Sequence, residues 1–156
     1  MVQIRKILFP TDFSDHSLHA LKYAVSFAES CKAEMHVLHV VDEAYQYWMA
    51  MGPGALPVGP PPDEMLALSQ KEMEKFVASK LADVKAPVTK AVLVGRPFME
   101  IIRYAHDEKI DMVIMGTHGR SGLRHAILGS VTERVVRKAP CPVLTIRSPD
   151  HEFVMP

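Results

Sequence analysis

Short runs of branched aliphatic residues recur along the chain. Longer stretches between them return an apolar side chain every three or four positions. Runs 4–9 (broken by Arg5 and Lys6), 35–41, 88–94, 111–115 and 142–146 have strand composition. Val, Ile and Leu dominate them, as expected for strands covered on both faces of a parallel sheet.

Leu18, Leu21, Val25 and Ala28 fall at i, i+3, i+7 and i+10 and predict one apolar helix stripe. Ser14 suits the N-cap of that helix. Asp63 is placed to cap a second helix, with Leu66, Met73, Phe76, Val77 and Leu81 inward. Pro97 suits the first turn of a third, in which Phe98, Ile101, Ile102 and Ala105 repeat. A fourth starts at Ser130 and stops before Pro140, with Ser130 and Glu133 forming a capping box. The order is β-α-β-α-β-α-β-α-β, which predicts a single doubly wound α/β domain with helices on both faces of a parallel sheet. No internal repeat is visible.

A chain of 156 residues with 48% hydrophobic content can bury a full core. Charged residues make up 23%, which argues against intrinsic disorder. Lys plus Arg number 18 and Asp plus Glu number 18. That balance argues against nucleic-acid or membrane-surface binding, while leaving room for one local cationic pocket. Cys31 and Cys141 have neither metal-type nor redox spacing, and read as reduced, partly buried thiols. Residues 1–6 lack the apolar core of a signal peptide, and no apolar run is long enough for a membrane span. A cytoplasmic location is therefore expected.

One segment departs from the alternation. Residues 52–62 hold five Pro and three Gly, and Tyr45, Tyr47, Trp48, Met49 and Met51 precede them. The 42–62 region reads as an insertion loop, packed on its own domain or serving as a flap or partner-facing surface.

Open α/β sheets bind ligands beyond the carboxyl ends of their strands. Pro10, Thr11 and Asp12 follow the first strand, and Asp42 follows Val41 on the second. After the fourth comes Gly116-Thr117-His118-Gly119-Arg120-Ser121-Gly122. Four of the eight glycines fall at 116, 119, 122 and 129. Glycine turns present backbone N–H groups to anions, and the helix opening at Gly129-Ser130 adds free N–H groups and a positive dipole end. Arg120 and His118 would add charge there. The same glycines could instead make ordinary turns, and Ser130 could simply cap. Asp12 could accept ligand hydrogen bonds or cap the first helix in place of Ser14. Neither the P-loop nor the dinucleotide fingerprint is present. His36 and His39 lie three apart on a strand, face opposite sides, and cannot share a metal. Cys141, next to Pro140 and Pro142, reads as structural.

The spacing Gly116-x2-Gly119-x9-Gly129-Ser130 resembles the nucleotide-binding motif of the universal stress protein family. The opening 7–14, the stretch 111–120 and the ending 139–144 are similar to that family's first strand, phosphate loop and last strand. The resemblance runs over about residues 2–147, which would make 1–147 the domain and 148–156 a tail. It implies a five-stranded sheet of order 3-2-1-4-5, often dimeric, and binding of ATP or a related adenine nucleotide with Mg²⁺. Carried over by position, Asp12 and the Val41 backbone would face the adenosine, with Pro10 and Thr11 shaping that wall. Met115 and Gly116 would line the floor. Gly119, Arg120, Gly129, Ser130, Val131 and Thr132 would surround the phosphates, with His118 nearby. The expected role is a stress-linked sensor or regulator with little or no catalysis, since no general base is evident beside the phosphates. A slow ATPase and a nucleotide-free dimeric scaffold that grips a protein partner are the alternatives. The charge-free apolar strand 142–146 would lie at a sheet edge, where pairing with a second copy would cover it.

Overall fold

The computed structural model describes residues 1–42, 62–117 and 128–147. Its strands are β1 (Lys6–Pro10), β2 (Glu34–Asp42), β3 (Val88–Gly95), β4 (Met112–Gly116) and β5 (Val143–Ile146). Helices α1 (Asp15–Cys31), α2 (Pro62–Lys80), α3 (Pro97–Asp107) and α4 (Ser130–Lys138) alternate with them. All pairings are parallel and the strand order is β3-β2-β1-β4-β5. Every expected strand is present, the first beginning at Lys6 rather than residue 4. Among the described residues no helix is long and apolar enough to cross a membrane.

Alternation along the strands builds two cores, one on each face of the sheet. Ile7, Phe9, Met35, Val37 and Ile114 turn toward α1 and α2, where Ala20, Ala24, Met73 and Phe76 meet them. Leu8, Leu38, Val113 and Met115 turn the other way, onto Ile101 and Ala105 of α3 and Val135 of α4. Both β1 faces are consumed, so the strand reads as a continuous apolar run.

On α1 the buried residues are Ser17, Ala20, Leu21, Ala24 and Ala28. Leu18 and Val25 from the predicted stripe are only half-buried at its margin. Small side chains therefore occupy the centre and let the helix lie close to the sheet. Ser14 is the N-cap, its side chain accepting from the Ser17 N–H. Lys32, in the left-handed conformation, ends the helix.

Three expectations are corrected. Asp63 does not cap α2; the helix begins at Pro62, and Asp63 stands in its first turn, where its charge meets the positive end of the helix dipole. Ser130 is the first residue of α4, not its cap. Gly129 is the N-cap, in extended geometry, and the first intrahelical bond runs from the Glu133 N–H to the Gly129 carbonyl at 2.9 Å. The capping box is one residue out of register, and Glu133 pairs with Arg137 at 3.0 Å instead. Cys31 is exposed rather than partly buried, because it stands at the open end of α1.

Between β3 and α3, Gly95 takes φ +152, and a Cβ there would stand 2.9 Å from the Glu100 side chain. Glycine is required at this turn. Pro97 opens α3 as expected.

Candidate functional site

The chain runs outward from β1 to β3 on one side and then crosses to β4 and β5 on the other. The topological switch therefore lies between β1 and β4, where an open sheet leaves a crevice at its carboxyl end. Pro10 ends β1, and Thr11 and Asp12 follow it at one lip. Gly116 ends β4, with Thr117 following, at the other. Val41 lies near the end of β2, three residues past the Pro10–Leu38 pairing.

The first lip is a bend held by its own side chains. The Thr11 hydroxyl accepts from the Phe13 N–H at 3.0 Å and shares a hydrogen bond with Ser17 Oγ at 2.9 Å. The Asp12 carboxylate accepts from both the N–H and the hydroxyl of Ser14. Asp12 thus does not replace Ser14 as cap; it orients the cap. Phe13, between them, has φ 61, unusual for a bulky side chain.

The second lip joins β4, β5 and α4. The Thr117 N–H donates to the Ile146 carbonyl at 2.9 Å, and the Gly129 N–H donates to the Thr117 carbonyl at 2.7 Å. The Thr132 hydroxyl donates to the Gly116 carbonyl at 3.0 Å, with Thr132 only 3% exposed. Its hydroxyl proton is spent on this tie. Among the described residues no side chain caps α4 or accepts from the N–H groups of its first turn, Ser130, Val131 and Thr132. Ser130 is exposed, Val131 half-buried, and Met115 buried beneath this lip in the α3/α4 core. His118, Gly119 and Arg120 lie outside the described residues, as does 43–61.

The two strand histidines part as expected. His36 bonds Tyr104 on α3 through Nδ1 at 2.9 Å, while His39 lies on the α1/α2 side with Nδ1 2.8 Å from the Thr11 carbonyl oxygen. Burial pushes the Cys141 thiol pKa up, which disfavours the thiolate and agrees with a structural role. Among the described residues no group of three or more His, Cys, Asp or Glu could hold a metal ion.

Four residues that build the lips carry no local signal. Ser17 falls within a helix pattern, and Thr117 within a glycine turn. Phe13 reads as one more apolar position. His39 reads as an unmatched strand histidine, since its partner Thr11 stands 28 positions away. The adjacency of β1 and β2 brings them together.

The profile of the universal stress protein family matches residues 3–147. Universal stress protein MJ0531 of Methanocaldococcus jannaschii is 36% identical over 149 residues, covering 95% of this chain and 85% of the relative. Universal stress protein MJ0577 of the same organism is 35% identical, covering 94% and 96%. The solved structure of MJ0577 superposes with TM-score 0.80 at 34% identity, covering 96% of this chain and 99% of that one. A universal stress protein from Archaeoglobus fulgidus, solved in complex with dAMP, shares the fold at TM-score 0.64 and 21% identity, covering 93% and 98%.

Proposed function

The chain belongs to the universal stress protein family, and from that premise we propose that it binds an adenine nucleotide, ATP first, at the crevice between β1 and β4. The supporting observation is the start of α4. Gly129 caps it without a side chain, so among the described residues no side chain takes up the N–H groups of the first turn, at the positive end of the helix dipole beside the crevice. A polyphosphate supplies the oxygens that such a terminus lacks.

In this reading the adenosine end lies on the other lip. Asp12 and the Val41 backbone receive the ribose and base, with Pro10 and Thr11 forming the wall. Met115 and Gly116 form the floor. Gly129, Ser130, Val131 and Thr132 hold phosphates through backbone N–H groups, with Gly119, Arg120 and His118 contributing from the glycine turn. Mg²⁺ would ride on phosphate oxygens, with Asp12 the nearby carboxylate able to meet it through water. The dAMP-bound fold neighbour supports adenine nucleotides as the class to test first.

The role is a nucleotide-dependent sensor or regulator in stress physiology, with little or no hydrolysis, acting in the cytoplasm as a homodimer. Small molecules released from the freshly purified chain should include an adenine nucleotide by mass spectrometry, and ATP with Mg²⁺ should give a saturable heat by calorimetry. No heat with any common triphosphate would overturn the reading. A turnover of about 1 s⁻¹ or faster, usual for working enzymes, would overturn its non-catalytic part.

A further inference from the structure

Phe13 sits in the left-handed region, where a bulky residue stays only if its surroundings hold it. Its N–H donates to Thr11 Oγ1. Its ring lies 4.4 Å from the His39 ring, tilted by 31°, and 5.4 Å from the ring of Phe76 on α2. His39 Nδ1 also stands 2.8 Å from the Thr11 carbonyl oxygen. A carbonyl only accepts, so Nδ1 carries the proton and donates. On the other side of the same residue, the Thr11 N–H donates to the Leu38 carbonyl at 2.8 Å. Consecutive residues of β2 therefore hold both backbone polar groups of Thr11. Asp12 stands between Thr11, gripped through its carbonyl, and Phe13, gripped through its ring, and His39 makes both grips.

We propose that His39 is a positioning residue of the nucleotide site. Buried on the α1/α2 side of the sheet, it fixes the bend that carries Asp12 and so sets how the carboxylate meets the adenosine end of the ligand. This inference rests on the nucleotide reading above. It separates the donor at Nδ1 from mere filling of space. Asparagine places an amide N–H where Nδ1 stands; glutamine places one a bond further out, where Nε2 stands; leucine fills the space with no donor.

The test is titration of the full chain with ATP and Mg²⁺ by calorimetry, with melting curves to follow folding. His39→Gln and His39→Leu should weaken ATP by about tenfold, the scale of one positioning hydrogen bond. His39→Asn should stay within about threefold of wild type, by the same scale. In an Asp12→Ala background the His39→Gln penalty should largely vanish, because the effect passes through Asp12; a purely structural role would keep it. Should His39→Leu fail to fold, the contrast between Asn and Gln decides. Equal affinities for those two variants, or a Gln penalty undiminished without Asp12, overturns the inference while the nucleotide site stands. A wild-type chain that takes no ATP overturns the site and the inference together.

Discussion

The Thr132 hydroxyl donates to the Gly116 carbonyl at 3.0 Å, tying the first turn of α4 to the end of β4. Thr132 is buried, so the bond is shielded from water. It fixes the distance between the helix start and the crevice floor. The N–H groups of that turn have a set position before any ligand arrives, which lowers the ordering cost of binding.

Thr132→Val keeps the shape and deletes the donor. The variant should lose about 1–3 kcal/mol, the cost of leaving a buried acceptor unpaired. Urea unfolding measures this. ATP affinity should fall as well, because the uncapped turn is no longer held against Gly116. A variant as stable as wild type would show that the tie is dispensable.

Gly129→Asp should move stability and binding in opposite directions. Gly129 has φ −66 and ψ 156, which any residue adopts. Its value is therefore the missing side chain, not special backbone freedom. Aspartate is a better N-cap than glycine, so the ligand-free protein should melt no lower than wild type. The new carboxylate would occupy the N–H groups and repel phosphate. With a dissociation constant of ~10 μM, ~1 mM ATP should stabilise wild type by about 2.7 kcal/mol. That is a melting rise of roughly 5–10 °C at this chain length. The variant should show no rise. A full rise would place the phosphates elsewhere.

Both cores follow from apolar runs such as 35–41, whose alternating residues find a helix to bury against, whereas the strand order was carried by the family resemblance and not by the runs themselves. Ser14 was legible as a cap because a side-chain oxygen announces one. Gly129 was not, because a glycine cap has no side chain to show, and the neighbouring Ser130 and Glu133 imitate a capping box one residue later. Asp12 was visible as a strand-end carboxylate. The His39 contact with the carbonyl of the neighbouring Thr11 was hidden, since it spans 28 positions and exists only once β1 and β2 pair.

Acid should weaken the fold through His36. Its ring is buried against Tyr104, with Nδ1 2.9 Å from the phenol oxygen, while among the described residues Nε2 has no hydrogen-bond partner and lies 3.4 Å from Glu34 Oε1. Glu34 from β2, Lys6 from β1, and Glu108 beyond α3 are the charges that face it. Burial, partly offset by Glu34, holds the imidazole pKa below its ordinary value of 6.5. Burial likewise pushes the Tyr104 phenol up to about 12, so the phenol stays protonated throughout. The unfolded chain therefore binds the His36 proton more readily than the folded one. The His36 contribution to stability is constant above about pH 6.5 and declines as pH falls below it, down to the folded value. Urea midpoints at pH 7, 6 and 5.5 should fall for wild type. The double variant His36→Leu, Tyr104→Phe, which removes both polar ends, should show a flatter profile. An equal slope in both would assign the acid sensitivity to other groups.

Pairing of β5 with a second copy has a sharper test than charging its side chains. Val143 packs with the α3/α4 core, and Leu144 and Ile146 with the α1/α2 core. Val143→Asp or Leu144→Lys would thus break the protomer as readily as a dimer. The backbone offers a cleaner target. Val113 N–H donates to the Pro142 carbonyl, and Thr117 N–H to the Ile146 carbonyl. The even-numbered residues of β5 therefore turn their polar groups toward β4, and in a parallel ladder Val143 and Thr145 turn theirs outward. Thr145→Pro deletes an outward N–H and sets a ring in the path of a pairing strand, while the bonds to β4 remain. If the homodimer forms through this edge, light scattering should give a dimer mass for wild type and a monomer mass for Thr145→Pro, with far-ultraviolet dichroism unchanged. A variant that keeps the dimer mass would move the interface away from β5.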